Sequence, residues 1–214
     1  MYENFKYLDA VAQKEITNGV FSGSVLSVIH KGETVYLKSF GLADKEKNIP
    51  MKTDSIFRLF SMSKPVTAAA AMILIERGLL DTRHPLKWFI PEFSDPVVLD
   101  ENGEHPADRD ITIGDLLTMT SGIPYPDGTP AGQKMGALWG GQSEKYLKGE
   151  KLLDTVSFAK EMGKRPLMFT PGEKWMYGAS ADIMGAVIEV VSGMKFGDFL
   201  RKEIFEPLGM NDTG

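Results

Sequence analysis

Cysteine is absent from the chain, which removes disulfide bridges, a thiolate nucleophile and cysteine metal sites together. Histidine is scarce. A Ser-His-Asp hydrolase would have to draw on His30, His84 or His105, and their surroundings read as structural or exposed. No uncharged apolar run reaches the length of a bilayer-spanning helix. Met1–Lys6 opens a polar amphipathic segment and not a signal peptide, so the chain as written is expected in the cytoplasm, without a membrane partner. An excess of basic residues is also missing. Lysine and arginine number 24 against 29 acidic residues, a net charge of −5, which argues against nucleic acid as a partner. Neither an internal repeat nor a low-complexity linker interrupts the 214 residues, which suffice for one large domain or two small ones.

Against this background one stretch stands out, Phe60-Ser61-Met62-Ser63-Lys64-Pro65 followed by Val66-Thr67 and four alanines running into Met72-Ile73-Leu74-Ile75. The alanine-rich part reads as a buried helix stopped at Gly78. Upstream, Ser55–Phe60 alternates like a short strand. With a helix beginning near Ser61, Pro65 falls in the first turn, where backbone N–H groups have no intrahelical partner. Ser61 and Lys64, three residues apart, then leave one face of the helix. A serine at a helix start gains from the N-terminal dipole as negative charge develops. A lysine one turn on can take its proton if the amine is neutral. Neutrality near pH 7 asks for a downward shift of over three units from about 10.4, about 4–5 kcal/mol, which burial or a neighbouring cation must supply. The bland alternative is an N-capping serine with a solvated lysine.

Elsewhere a helix is expected over residues 4–17, and strands over 24–30 and 34–40 joined by Lys31-Gly32-Glu33. The Pro-punctuated stretch 84–93 reads as a short helix or turn. Residues 94–110 read as a solvated acidic loop, since they lack the alternation and central glycine of a calcium loop. Thr112 is expected to cap a helix, with Asp115 as its capping-box partner. Residues 125–150, rich in glycine and poor in periodic apolar positions, read as a long surface loop anchored by Trp139. Helices follow over 152–162, 181–193 and 196–205.

Two further stretches, Leu116-Leu117-Thr118-Met119-Thr120-Ser121-Gly122-Ile123-Pro124 and Phe169-Thr170-Pro171-Gly172-Glu173-Lys174-Trp175-Met176-Tyr177-Gly178-Ala179, complete an ordered set with Ser61-x-x-Lys64. In this order they resemble the serine β-lactamase and penicillin-binding-protein superfamily, in particular its class C β-lactamase-like branch with the β-lactamase-fold carboxylesterases. The resemblance implies an α+β fold of antiparallel sheet plus helical domain. Residues 1–60 would form the N-terminal part of the sheet domain, and 61–214 a mainly helical domain carrying the site. It implies a serine hydrolase forming an acyl-enzyme on esters or β-lactam-like donors, with Ser61 as nucleophile, Lys64 and Tyr177 sharing the proton work, and the Ser61 N–H as half of an oxyanion hole. No metal or organic cofactor is implied.

Two departures bear on the substrate and on completeness. Ala179 stands where the family's Y-x-N motif has asparagine, and alanine can neither donate nor accept a hydrogen bond. That favours esters over β-lactams and D,D-peptides. In the family the 125–150 region borders the substrate cleft, and a histidine often stands at the Met119 position, a change read here as a packing swap. The family's third motif, K-T-G or its equivalent, has no counterpart. The chain is therefore expected to be the N-terminal part of a longer protein or a shortened relative, with an incomplete sheet and an open edge on the 24–40 hairpin. Its partners would be a small ester or amide substrate, and the missing C-terminal part or a second copy of itself. The rival reading is a catalytically silent binding module or an inactive fragment. A classical triad hydrolase is disfavoured because Gly178-Ala179-Ser180-Ala181 fails the G-x-S-x-G pattern at its last position.

Overall fold

A computed structural model describes residues 5–101 and 103–214. The chain divides into two units, one up to Arg58 and one from Leu59 to Gly214. Helices mix with antiparallel sheets, one of three strands and one of two, as expected of an α+β chain.

In the first unit, α1 (Lys6–Thr17) precedes an antiparallel hairpin of β1 (Gly23–His30) and β2 (Glu33–Asp44), with a bulge at Val28/Ile29 and a two-residue β3 (Ile49–Pro50) beyond. The register sets Val25 opposite Ser39 and Ser27 opposite Leu37. α1 is tied to β2 by Asp9, whose carboxylate accepts from Tyr36 Oη and Lys38 Nζ, both at 2.5 Å. β1 lies at the edge of this three-stranded sheet.

The second unit is built around α6 (Ser180–Ser192). Ile183, Met184, Ala186, Val187 and Ile188 are all sequestered from solvent, because its apolar residues encircle the helix instead of forming one stripe. α2 (Ser63–Glu76) packs Ala70, Ala71 and Leu74 into the same core. Its C-terminus closes at Gly78, which holds φ 70° while Leu79 N–H donates to Leu74 O at 3.0 Å. Around them stand α3 (Ile113–Thr118), α4 (Pro130–Leu147), α5 (Thr155–Gly163) and α7 (Phe196–Leu200), the last running into a π-helical turn over Arg201–Phe205.

Several expectations are corrected. Residues 51–59 form no strand, and Ile56, Phe57 and Leu59 are exposed. Alternation without a ladder partner does not make a strand. Instead of an α-helix from Ser61, a 3-10 turn covers Phe60–Met62 and α2 begins at Ser63, with Pro65 still in its first turn. The acidic 94–110 segment carries a hairpin, β4 (Val97–Asp100) with β5 (Gly103–Pro106). Its apolar Val-Val-Leu run pairs on the other side with Leu167, which donates to Val97 O at 2.7 Å and accepts from Leu99 N at 2.9 Å. The supposed long loop contains α4, started by the Thr129 cap on Gly132 N and by Pro130 at the first position. Ala131, Met135 and Leu138 recur at helical spacing and are buried, and these three outweigh the glycines. The Pro-rich 84–93 stretch, by contrast, is helical turn as expected, in two 3-10 pieces, Leu86–Trp88 and Pro91–Phe93.

Candidate functional site

Ser61 lies in the 3-10 turn directly after Phe60, whose backbone is left-handed at φ 48°. Holding a bulky residue there costs of order 1–3 kcal/mol, and such strain gathers at functional sites. One turn on, Lys64 donates from Nζ to Ser61 Oγ at 3.1 Å.

Tyr177 comes from the far loop between α5 and α6, fastened by a ladder of backbone bonds to the stretch after α3. Met168 N–H donates to Gly122 O at 2.9 Å, Gly172 N–H to Thr120 O at 2.8 Å, Met176 N–H to Met119 O at 2.9 Å, and Ala179 N–H to Ile123 O at 3.3 Å. Two glycines let the segments approach. A Cβ on Gly178 would stand 2.1 Å from Ile123 O, and one on Gly122 (φ 76°) 2.5 Å from Phe169 O. The anchor of the ladder is Asp115, in the expected capping box with Thr112. Its buried carboxylate also takes Arg109 in a two-pronged grip at 2.7 and 2.8 Å and Thr120 Oγ1 at 3.0 Å. The Leu116–Pro124 and Phe169–Ala179 motifs are thus two halves of one support.

The outcome at its tip is a contact. Tyr177 Oη donates to Ser61 Oγ at 2.5 Å, so the three residues singled out in the sequence meet at one hydroxyl. The Lys64 ammonium lies 4.8 Å from the Tyr177 ring centroid and 5.5 Å from that of Tyr125. Tyr125 and Asp182 belong to the constellation but escaped sequence reading. Tyr125 Oη donates to Asp182 Oδ2 at 2.9 Å, and the Tyr125 ring lies 5.9 Å from that of Tyr177. An acid in the first turn of a largely apolar helix was the available signal for Asp182.

Electrostatics reverse one expectation. Burial alone would depress Lys64, but its interactions with Tyr177 and then Tyr125 outweigh burial and raise its pKa above the ordinary lysine value. This direction runs against the neutral amine that a lysine base would need, because the lysine faces the rings of Tyr177 and Tyr125. The complement falls on Tyr177, whose phenol is lowered by hydrogen bonding to Lys64 first and Ser61 second. Burial raises Asp182, against the pull of Tyr125 and Lys64. Tyr125 is raised by burial and by the Asp182 charge.

The other candidates take no part in these contacts. His84 accepts from Asp81 N–H through Nδ1 at 3.2 Å and packs on Trp88. His105 lies beside Asp100 on the β4–β5 hairpin, and His30 ends β1 exposed. Ser180 is buried and bonded to Ser121 at 2.8 Å, unlike an exposed nucleophile. Among the described residues no cluster of acids and histidines could hold a metal, and no helix is long and apolar enough to cross a membrane.

Comparison with known proteins gives a concordant result. The sequence model of the family described as Beta-lactamase matches residues 8–214. Esterase EstB of Burkholderia gladioli is 34% identical over 210 residues, covering 97% of this chain and 50% of that protein. Lovastatin esterase of Penicillium rubens is 34% identical over 216 residues, covering 96% of this chain and 52% of that protein. Among solved structures, EstCE1, titled a hydrolase with promiscuous acyltransferase activity, superposes with a TM-score of 0.78 at 28% identity, over 95% of this chain and 51% of its own. The chain thus spans about half the length of these relatives.

Proposed function

The chain belongs to the Beta-lactamase family, and from that membership we propose that it is a serine hydrolase acting through an acyl-enzyme, with carboxylic esters preferred to β-lactams or peptides. The observation that carries the reading is the meeting of Tyr177 Oη and Lys64 Nζ on Ser61 Oγ. The preference for esters draws on Ala179, a buried methyl where an amide would be needed, and on relatives named as esterases.

With Lys64 raised and Tyr177 lowered, the division of labour is unequal. Lys64 stays an ammonium and stabilises the phenolate of Tyr177, which accepts the Ser61 proton as Oγ bonds to the ester carbonyl carbon. The Ser61 N–H is one donor to the oxyanion. As the tetrahedral adduct collapses, the carbon–alkoxide bond breaks and Tyr177 returns the proton to the departing alcohol. A water then attacks the acyl-serine, giving its proton to Tyr177. The second collapse releases the carboxylic acid and re-protonates Ser61. Ester and water enter, and alcohol and carboxylic acid leave, with Tyr177 carrying the proton at each step.

The test is mass spectrometry of the protein after a fluorophosphonate, alongside burst kinetics with a p-nitrophenyl ester. One covalent adduct on Ser61, lost in Ser61→Ala, is expected. Folded protein that takes no label and shows no burst would overturn the hydrolase in favour of a silent binding module.

A further inference from the structure

Asp182 comes to the Ser61–Lys64–Tyr177 cluster on the same stretch of chain that delivers the tyrosine. Tyr177 ends the loop, α6 opens at Ser180, and Asp182 lies in its first turn. The close approach of Gly178 to Ile123 O therefore holds both residues. Ala179, before the helix, has no side chain with which to cap its free N–H groups, and the helix dipole favours a carboxylate there. Burial opposes that charge, while Tyr125 and Lys64 support it.

Tyr125 links the acid to the other groups. Its Oη donates to Asp182 Oδ2 at 2.9 Å, and its ring faces the Lys64 ammonium at 5.5 Å and the Tyr177 ring at 5.9 Å. The phenol thus acts as a spacer, keeping an anion near the lysine without a direct ion pair. Lys64 and Asp182 both line a cavity of about 500 Å³ bordered by the rings of Phe60, Trp139, Phe158 and Phe196. In such a setting charges interact with an effective dielectric of about 20, well below that of bulk water.

The charges around Tyr177 pull in opposite directions. Lys64 and Ser61 make its phenolate easier to form, and Asp182 makes it harder. A phenolate stabilised too far is a weak base, so the second influence preserves its use in proton transfer. The other acid on the cavity wall, Asp154 at the start of α5, faces Lys195 and Lys151 and is neutralised there. Asp182 of α6 and Lys64 of α2 are accordingly the two charges that act on Tyr177.

We propose that Asp182 is a positioning residue of this site: held by Tyr125, it is the counter-charge to the Lys64 ammonium and keeps Tyr177 a strong enough base to take the Ser61 proton. The role of Tyr177 as base rests on the hydrolase reading above, whereas the coupling of Asp182 to Tyr177 needs no turnover to be measured.

The experiment therefore reads Tyr177 directly. Phenolate absorbance is titrated in the wild-type chain and in Tyr177→Phe, and the difference isolates this one tyrosine among six. The same pair is measured with Asp182→Asn, which keeps the side-chain shape and removes its charge. The Tyr177 midpoint should fall by about 0.5–1 unit in Asp182→Asn. The pH profile of fluorophosphonate labelling at Ser61 should move with it, to a lower plateau because the base is weaker. Asp182→Glu, which keeps the charge, should leave the midpoint near wild type. In Tyr125→Phe the carboxylate loses its tether, so adding Asp182→Asn there should shift the midpoint less, and an undiminished shift overturns the part given to Tyr125. A midpoint unmoved by Asp182→Asn, or moved as far by Asp182→Glu, overturns the proposal even where the melting temperature falls, since a purely structural acid at a helix start would do the latter alone. Ser61 labelling in that same protein leaves the hydrolase standing. A midpoint that shifts in folded protein taking no label keeps the coupling and sinks the hydrolase.

Discussion

Replacing Asp115 by alanine removes the post to which the Tyr177 loop is tied. The carboxylate accepts from both Arg109 nitrogens, from Thr112 N–H and Oγ1, and from Thr120 Oγ1, all between 2.7 and 3.0 Å, and only 5% of the residue is exposed. Breaking a buried ion pair from one side typically costs 3–5 kcal/mol. The Arg109 side chain is 43% exposed and regains water, which places the loss at the low end, about 3 kcal/mol. For a chain of this size that is a fall in Tm of about 6–12 °C. Urea unfolding followed by tryptophan fluorescence reads it as a lower midpoint at unchanged slope.

The pH dependence supplies a second arm. Burial would raise the Asp115 pKa, but Arg109, then Thr112 and Thr120, hold it below the ordinary aspartate value. A folded pKa below the unfolded one means stability that is fully present above the unfolded value of about 3.9 and lost as the pH falls through the folded value. Wild type and variant should therefore differ by the full amount near pH 7 and converge in acid. A variant within 1 kcal/mol of wild type at pH 7, or a gap that widens in acid, would refute the account of Asp115 as anchor.

Three other outcomes are expected. Tyr177→Phe should lower kcat/KM for p-nitrophenyl esters by 10²- to 10⁴-fold, the range of general acid–base catalysis, with thermal stability changed by under about 1 kcal/mol because the ring is nearly half exposed. The pH–rate profile should climb as Tyr177 loses its proton, with a midpoint below about 10, and decline only above the ordinary lysine value of about 10.4, where Lys64 deprotonates. A rise centred above 10 removes Tyr177 as base. Gly178→Ala should displace the loop from Ile123 O and slow Ser61 labelling at least tenfold in protein that remains folded; undiminished labelling contradicts the close approach.

Much of this arrangement was open to reading from one dimension. The α2 and α6 helices announced themselves by apolar runs with glycine stops, and the Thr112–Asp115 box by residue type at fixed spacing. Burial and capping are local, so their signals are local. Ser61, Lys64 and Tyr177 were legible as residues only through the order of three motifs. The α4 helix hid behind its glycines and the β4–β5 hairpin behind its acids, since composition there masked a short apolar pattern that gains its meaning from partners far along the chain.

What the linear order determined by itself is the family, and with it the choice of Ser61, Lys64 and Tyr177 as candidates, because both are written in residue type and spacing. What only the folded chain decided is which groups surround them. Phe60 in a left-handed turn, Tyr125 with Asp182 behind Lys64, and the direction of each pKa all depend on which groups lie within a few ångströms, and Coulomb and hydrogen-bond energies answer to that distance and not to separation along the chain.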